Sequence, residues 1–107
     1  MPTYHKLVRD RIPEIIGKTG KIFHTAILGE VEYKDALKKK CYEELAEYEA
    51  AKSNEEAIEE LADLLELLHA LANVHGVGID DVEELRQQKA EERGEFQKRI
   101  FLLEVEQ

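Results

Sequence analysis

The chain has 107 residues, 43% of them hydrophobic and 36% charged, with a formal net charge of −9. That length suits one small domain, so residues 1–107 are expected to fold as a unit, and the composition is that of a helix-prone globular protein, not a disordered one. The acidic balance argues against a basic patch for a nucleic-acid polymer and against general attraction to anionic membranes.

The start, Met1 to Lys6, has no apolar core and does not read as a secretory signal. With no stretch long enough to span a bilayer, a cytoplasmic protein is the expectation. Residues 4–18 form a basic-apolar lead-in. Asp10 is placed to cap a short helix that tolerates Pro13 in its first turn, and Gly17 and Gly20 are expected to stop it. Residues 21–28, Lys-Ile-Phe-His-Thr-Ala-Ile-Leu, are β-prone and expected to be extended.

A long helix is predicted over residues 31–52. Leu37, Cys41, Leu45 and Tyr48 step by four, four and three, which makes an apolar stripe. Cys41 lies on that stripe and reads as core, not nucleophile. A single cysteine also offers neither an intrachain disulfide nor a Cys-based zinc site. Ser53 followed by Glu56 is a capping box, so a new helix begins there and runs to about residue 75. Ile58, Leu61, Leu65, Leu68 and Ala72 share one face of it, and Leu64, Leu67, Leu71 and Val74 widen that face. So broad an apolar surface exceeds what one partner helix covers, and implies a central helix or an oligomer. Gly76 and Gly78 break the helix. Asp80 with Glu83 repeats the capping pattern, and a further helix is predicted over 81–93, ended by Gly94. The tail, Phe96 and Ile100 to Leu103, is apolar enough to dock on the body or on a neighbouring subunit.

Across these helices runs one acidic pattern: Glu43-Glu44-x-x-Glu47, then Glu60-x-x-Asp63. Residues three apart share a helix face. If the two helices pack antiparallel, Glu44, Glu47, Glu60 and Asp63 converge. Four anions held together repel unless a cation joins them, and hard divalent cations such as Mg²⁺ favour oxygen ligands of this kind. Asp63 lies beside Leu64, Leu65 and Leu67, where a carboxylate is costly unless paired or metal-bound. The alternative is a set of solvated helix faces paired to lysines.

The pattern resembles the EExxE…ExxD signature of the all-α nucleoside-triphosphate pyrophosphatases, the superfamily of MazG proteins, dimeric dUTPases and phosphoribosyl-ATP pyrophosphatase. The flanks, Lys6-Leu-Val-Arg-Asp-Arg-Ile-Pro13 and Lys89-x-x-x-Arg93-Gly94-x-Phe96-x-Lys98-Arg99-Ile100, resemble a short MazG-like subgroup. The resemblance implies an all-α, oligomeric antiparallel helical bundle, a homodimer or tetramer. It also implies Mg²⁺-dependent cleavage between the α and β phosphates of a nucleotide, giving a monophosphate and pyrophosphate, with Mn²⁺ as a possible substitute. Glu44, Glu47, Glu60 and Asp63 match its metal positions. The choice of base does not carry over.

Glu43 is a candidate to orient or activate water, whereas Glu59 reads as solvent-facing. Lys89 and Arg93, four apart, are candidates to clamp phosphate oxygens that gain charge in the transition state; the alternative is pairing with Glu92 or Glu95. Lys98 and Arg99 are weaker candidates. Lys6, Arg9 and Arg11 either close over a triphosphate or tie the N-terminus to the bundle's carboxylates. His5, His24, His69 and His75 lack ligand-like clustering, though His69 borders the acidic region. Without a Gly-rich phosphate loop, nucleophile elbow or HExxH motif, phosphate binding falls to metal and side chains. Phe23, Tyr33, Tyr42, Tyr48 and Phe96 are candidates to stack on a base, and Asn73 to hydrogen-bond one.

Three functions follow. The first is a Mg²⁺-dependent nucleoside-triphosphate pyrophosphohydrolase. The second is phosphoribosyl-ATP pyrophosphatase of histidine biosynthesis, which the Lys6–Pro13 segment fits less well. The third is a non-catalytic helical interaction module, against which the intact carboxylate set argues.

Overall fold

The computed structural model describes residues 5–107, which contain four helices and no strand: α1 (Ile12–Lys18), α2 (Glu30–Ala50), α3 (Asn54–Val74) and α4 (Ile79–Arg93). The all-α class expected from the sequence is the class observed. The secretory-signal reading rests largely on the first four residues, which lie outside the described part. None of the described helices is long and apolar enough to cross a membrane.

Helix ends follow local chemistry, with corrections. The cap of α1 falls one residue past Asp10: Arg11 is the N-cap residue, makes no side-chain cap bond, and is followed by Ile12 and Pro13. Gly17 does not stop this helix; it sits inside it. The chain turns at Gly20, whose φ of +82° suits a residue without Cβ. Residues 21–29 form no strand. Their β-propensity finds no neighbouring strand to pair with, and a lone extended segment gains nothing from it.

Ser53 caps α3 as expected, its Oγ accepting from Glu56 N–H at 3.1 Å. The reciprocal bond lands one residue earlier: Lys52 N–H donates to Glu56 Oε2 at 2.8 Å. Ser53→Ala is expected to cost about 1 kcal/mol, read as a lower urea midpoint at unchanged slope. α4 starts two residues earlier than the sequence suggested. Gly78 is extended, and its N–H donates to Asp81 Oδ2 at 3.0 Å. Asp81 therefore does the capping expected of Asp80 and Glu83, while Glu83 pairs with Arg86.

α2 and α3 form an αα-hairpin across the short link Ala51 to Ser53. Facing positions rise along one helix as they fall along the other: Glu44 meets Glu60 near the link, and Tyr33 and Asn73 share a recess at the far end. Leu37 and Ala72 are the buried apolar residues of this pair. α4 packs on α3 but not on α2, and α1 packs on no other helix.

This hairpin leaves much of its apolar surface open. Ile58, Leu61, Leu65 and Leu68 of α3 are all exposed, as are Leu45 and Tyr48 of α2. The tail does not dock on its own chain, for Phe96 is 96% exposed and Phe101 85%. The accessible surface is 10176 Å² for 12.3 kDa, against roughly 6,100 Å² for a compact monomer of that mass. The radius of gyration is 18.5 Å, against about 13 Å for a compact domain of this length.

Candidate functional site

The site lies where α2 and α3 face each other near their link. Antiparallel packing brings carboxylate oxygens of Glu44, Glu47 and Glu60 within 4.8 Å of one another. Glu44 is 9% exposed, deep between the helices. Glu44 Oε2 and Glu60 Oε2 are both enclosed by protein and lack a hydrogen-bond donor. Two carboxylates can bond to each other only if one carries a proton. Otherwise the enclosed oxygens need a cation or pay the cost of burial without a partner.

The titration of these groups reports the same crowding. Burial raises the Glu44 carboxyl above its ordinary range, hydrogen bonding with Glu60 works against that rise, and the charges of Glu47 and Asp63 add to it. Hydrogen bonding to Glu44 and then Glu47 pushes Glu60 up to about 8. The three oxygen donors fit a hard divalent cation, which would supply the positive charge that the enclosed oxygens do not find in the protein.

Asp63, the fourth residue of the acidic pattern, is set apart from the other three. Its Oδ1 accepts from Arg9 Nη2 at 2.7 Å, an ion pair spanning 54 positions of sequence. In this structure Arg9 ties the basic lead-in to the bundle, with Asp63 as its partner. Glu43 is not one of the converging carboxylates and pairs with Lys40, 3.6 Å distant, and Glu59 is exposed. Lys6 lies on the same lead-in as Arg9 and is exposed.

Lys89 and Arg93 line a groove along α4 with Leu85, Phe96 and Arg86. Neither makes an ion pair among the described residues, so the expected alternative of pairing with Glu92 or Glu95 is not realised. None of the four carboxylates lines this groove. Arg86 was not among the sequence candidates, although 86, 89 and 93 step by three and four along one face. It is held by Glu83, whose carboxyl the guanidinium lowers. Lys98 and Arg99 are exposed.

Tyr33 and Asn73, separate candidates for contacting a base, line one recess with Glu30 and Val74. It lies 11 residues along α2 from Glu44, roughly 16 Å at the helical rise. Tyr42, Tyr48, Phe23 and Phe96 are exposed elsewhere. Cys41 is half-buried, and burial followed by the nearby Glu44 charge raises its thiol, which suits a packing residue better than a nucleophile. No histidine joins the carboxylate cluster among the described residues.

No curated protein and no solved structure matches the chain. A family described as phosphoribosyl-ATP pyrophosphohydrolase matches residues 1–90, a range that includes the carboxylate cluster, Arg9 and Lys89 and stops short of Arg93 and the apolar tail. The match covers most of the sequence, and the all-α hairpin agrees with it. The chain belongs to the phosphoribosyl-ATP pyrophosphohydrolase family, within the MazG-like all-α pyrophosphatases, and is a nucleotide pyrophosphohydrolase, a hydrolase acting on acid anhydrides.

Proposed function

We propose that the protein cleaves the bond between the α and β phosphates of a nucleotide with Mg²⁺, or Mn²⁺ in its place, and that phosphoribosyl-ATP is its substrate. The observation that carries the metal reading is the convergence of Glu44, Glu47 and Glu60 with two enclosed, donor-less oxygens. The family match supports the nucleotide and ranks phosphoribosyl-ATP ahead of a plain triphosphate. That reverses the order drawn from the flanking segments alone. Family membership also leaves the non-catalytic module without support.

When bound, a divalent cation would neutralise phosphate charge and acidify water. Glu44, Glu47 and Glu60 would hold it, with Asp63 bordering them. Glu43, paired with Lys40 in this structure, would have to leave that lysine to take the proton of the attacking water as the water oxygen bonds to phosphorus. The bridging P–O bond breaks, and pyrophosphate leaves with the electron pair. Lys89 and Arg93 meet the oxygens on which charge grows. The α4 groove does not include the carboxylates, so the clamp would reach phosphates held at the carboxylates from a second chain.

A second reading, a plain nucleoside triphosphate as substrate, is favoured by the Lys6–Pro13 segment and its resemblance to short MazG-like proteins. A panel of phosphoribosyl-ATP and the common ribo- and deoxyribonucleoside triphosphates, with Mg²⁺ and separate pyrophosphate and orthophosphate readouts, distinguishes the two. Pyrophosphate is the expected product, fastest from phosphoribosyl-ATP. Orthophosphate as the sole primary product would exclude the mechanism. Lys89→Ala and Arg93→Ala should each lower kcat/KM roughly 10- to 100-fold, the size of a lost charged hydrogen bond, with little change in melting temperature. Normal rates in both would remove the clamp alone.

A further inference from the structure

The Arg9–Asp63 pair puts a fixed positive charge where the family's acidic pattern places a metal ligand. We propose that Arg9 is an exchangeable counter-ion: it neutralises Asp63 while the metal is absent, is displaced when a divalent cation binds, and then turns to the phosphates of the nucleotide. This rests on the metal reading above and extends it to a positioning role for the N-terminal segment.

Three observations carry it. The contact is short, 2.7 Å from Nη2 to Oδ1, but both side chains are about half exposed, 57% and 42%. An exposed pair of this kind is weak and readily exchanged. The Arg9 segment is held by little regular structure, because residues 5–11 are not helical and α1 packs on no other helix. It can move without breaking a core. Finally, Asp63 stands three residues after Glu60 on the same face of α3, so once released it is placed to share a cation with the cluster. A guanidinium keeps its charge at any working pH, and its planar fork suits carboxylate and phosphate oxygens alike. The same group can therefore serve both partners in turn.

The exchange gives Arg9→Ala opposite effects on two ligands. Calorimetry with Mn²⁺ alone should show binding tightened by up to about fivefold, the range of an exposed ion pair removed as competitor. Titration of the Mn²⁺-loaded protein with α,β-methylene ATP should show binding weakened by roughly tenfold or more, as a charged contact to phosphate is lost. Arg9→Gln, which removes the charge but keeps a polar side chain, should match Arg9→Ala. In the wild type, trypsin cleavage within residues 5–11 should rise with Mn²⁺ and fall again when the analogue is added. Unchanged or weakened Mn²⁺ binding in both variants would overturn the exchange, whatever happens to the nucleotide. Unchanged analogue binding would overturn the second half of it. A wild type that fails to bind Mn²⁺ would overturn the metal reading and this one with it.

Discussion

Glu44→Gln is expected to lose pyrophosphate release by about 10³-fold while its metal-free form melts at a higher temperature than the wild type. The two effects have one cause. Glu44 is 9% exposed and its Oε2 has no donor, beside a Glu60 oxygen in the same position. Once Glu60 gives up its proton, the two oxygens are buried charge without a partner, among the costliest features a fold carries. The amide of glutamine is neutral and offers N–H groups to the Glu60 oxygen. It also removes an anionic ligand from a site whose cation is worth several kcal/mol of transition-state stabilisation, which at about 1.4 kcal/mol per decade gives the expected loss. A variant that lost both activity and metal-free stability would show Glu44 to be a structural residue.

The pH dependence follows from Glu60. Its carboxyl titrates at about 8 in the folded chain, against about 4.3 for an unfolded glutamate. Between those values the native state keeps a proton that the unfolded chain has lost. The contribution to stability is therefore complete below the unfolded pKa and is lost as pH rises through the folded one. Metal-stripped wild type should melt progressively lower from pH 5 to pH 8.5, and Glu60→Gln should flatten that slope. Mg²⁺ or Mn²⁺ should restore the wild type most at pH 8 and above, where proton and cation no longer compete for the same oxygens. Calorimetric scans across that range, with and without metal, measure both effects. A melting temperature that rose with pH in the stripped protein would contradict the assignment.

Leu65→Glu is expected to turn an oligomer into an inactive monomer. The chain exposes roughly 4,000 Å² more surface than a compact monomer of its mass, more than the roughly 1,000–2,500 Å² that each partner buries in a typical obligate interface. Ile58, Leu61, Leu65 and Leu68 form one exposed stripe at steps of three and four. In a two-fold interface each leucine occurs twice. At roughly 2 kcal/mol per buried leucine, a pair of substitutions weakens association on the order of 10³-fold. Leu67 and Leu71 are half-buried within the chain itself, so a charge at either position would damage the α2–α3 hairpin as well as any assembly. Leu61 and Leu65 separate these effects. Light scattering with parallel pyrophosphate assays tests the expectation, and a stable, active wild-type monomer at micromolar concentration would refute it.

What the sequence determined by itself was local in origin. Helical spacing decided that Glu44 and Glu47 share a face, Ser53 with Glu56 marked the start of α3, and Gly94 marked the end of α4, because each depends on residues within one turn. Tertiary structure decided what depends on distant neighbours. It joined Glu60 to Glu44 and Glu47 while pairing Asp63 with Arg9, since the choice of partner for a carboxylate depends on which cation the fold brings near. It left residues 21–29 without a strand, because β-propensity counts only where another strand can pair. It also sorted the leucines of α3 into those that meet α2 and those left open. Periodicity marks a helix as apolar on most of its circumference, but only packing decides which side its own chain covers.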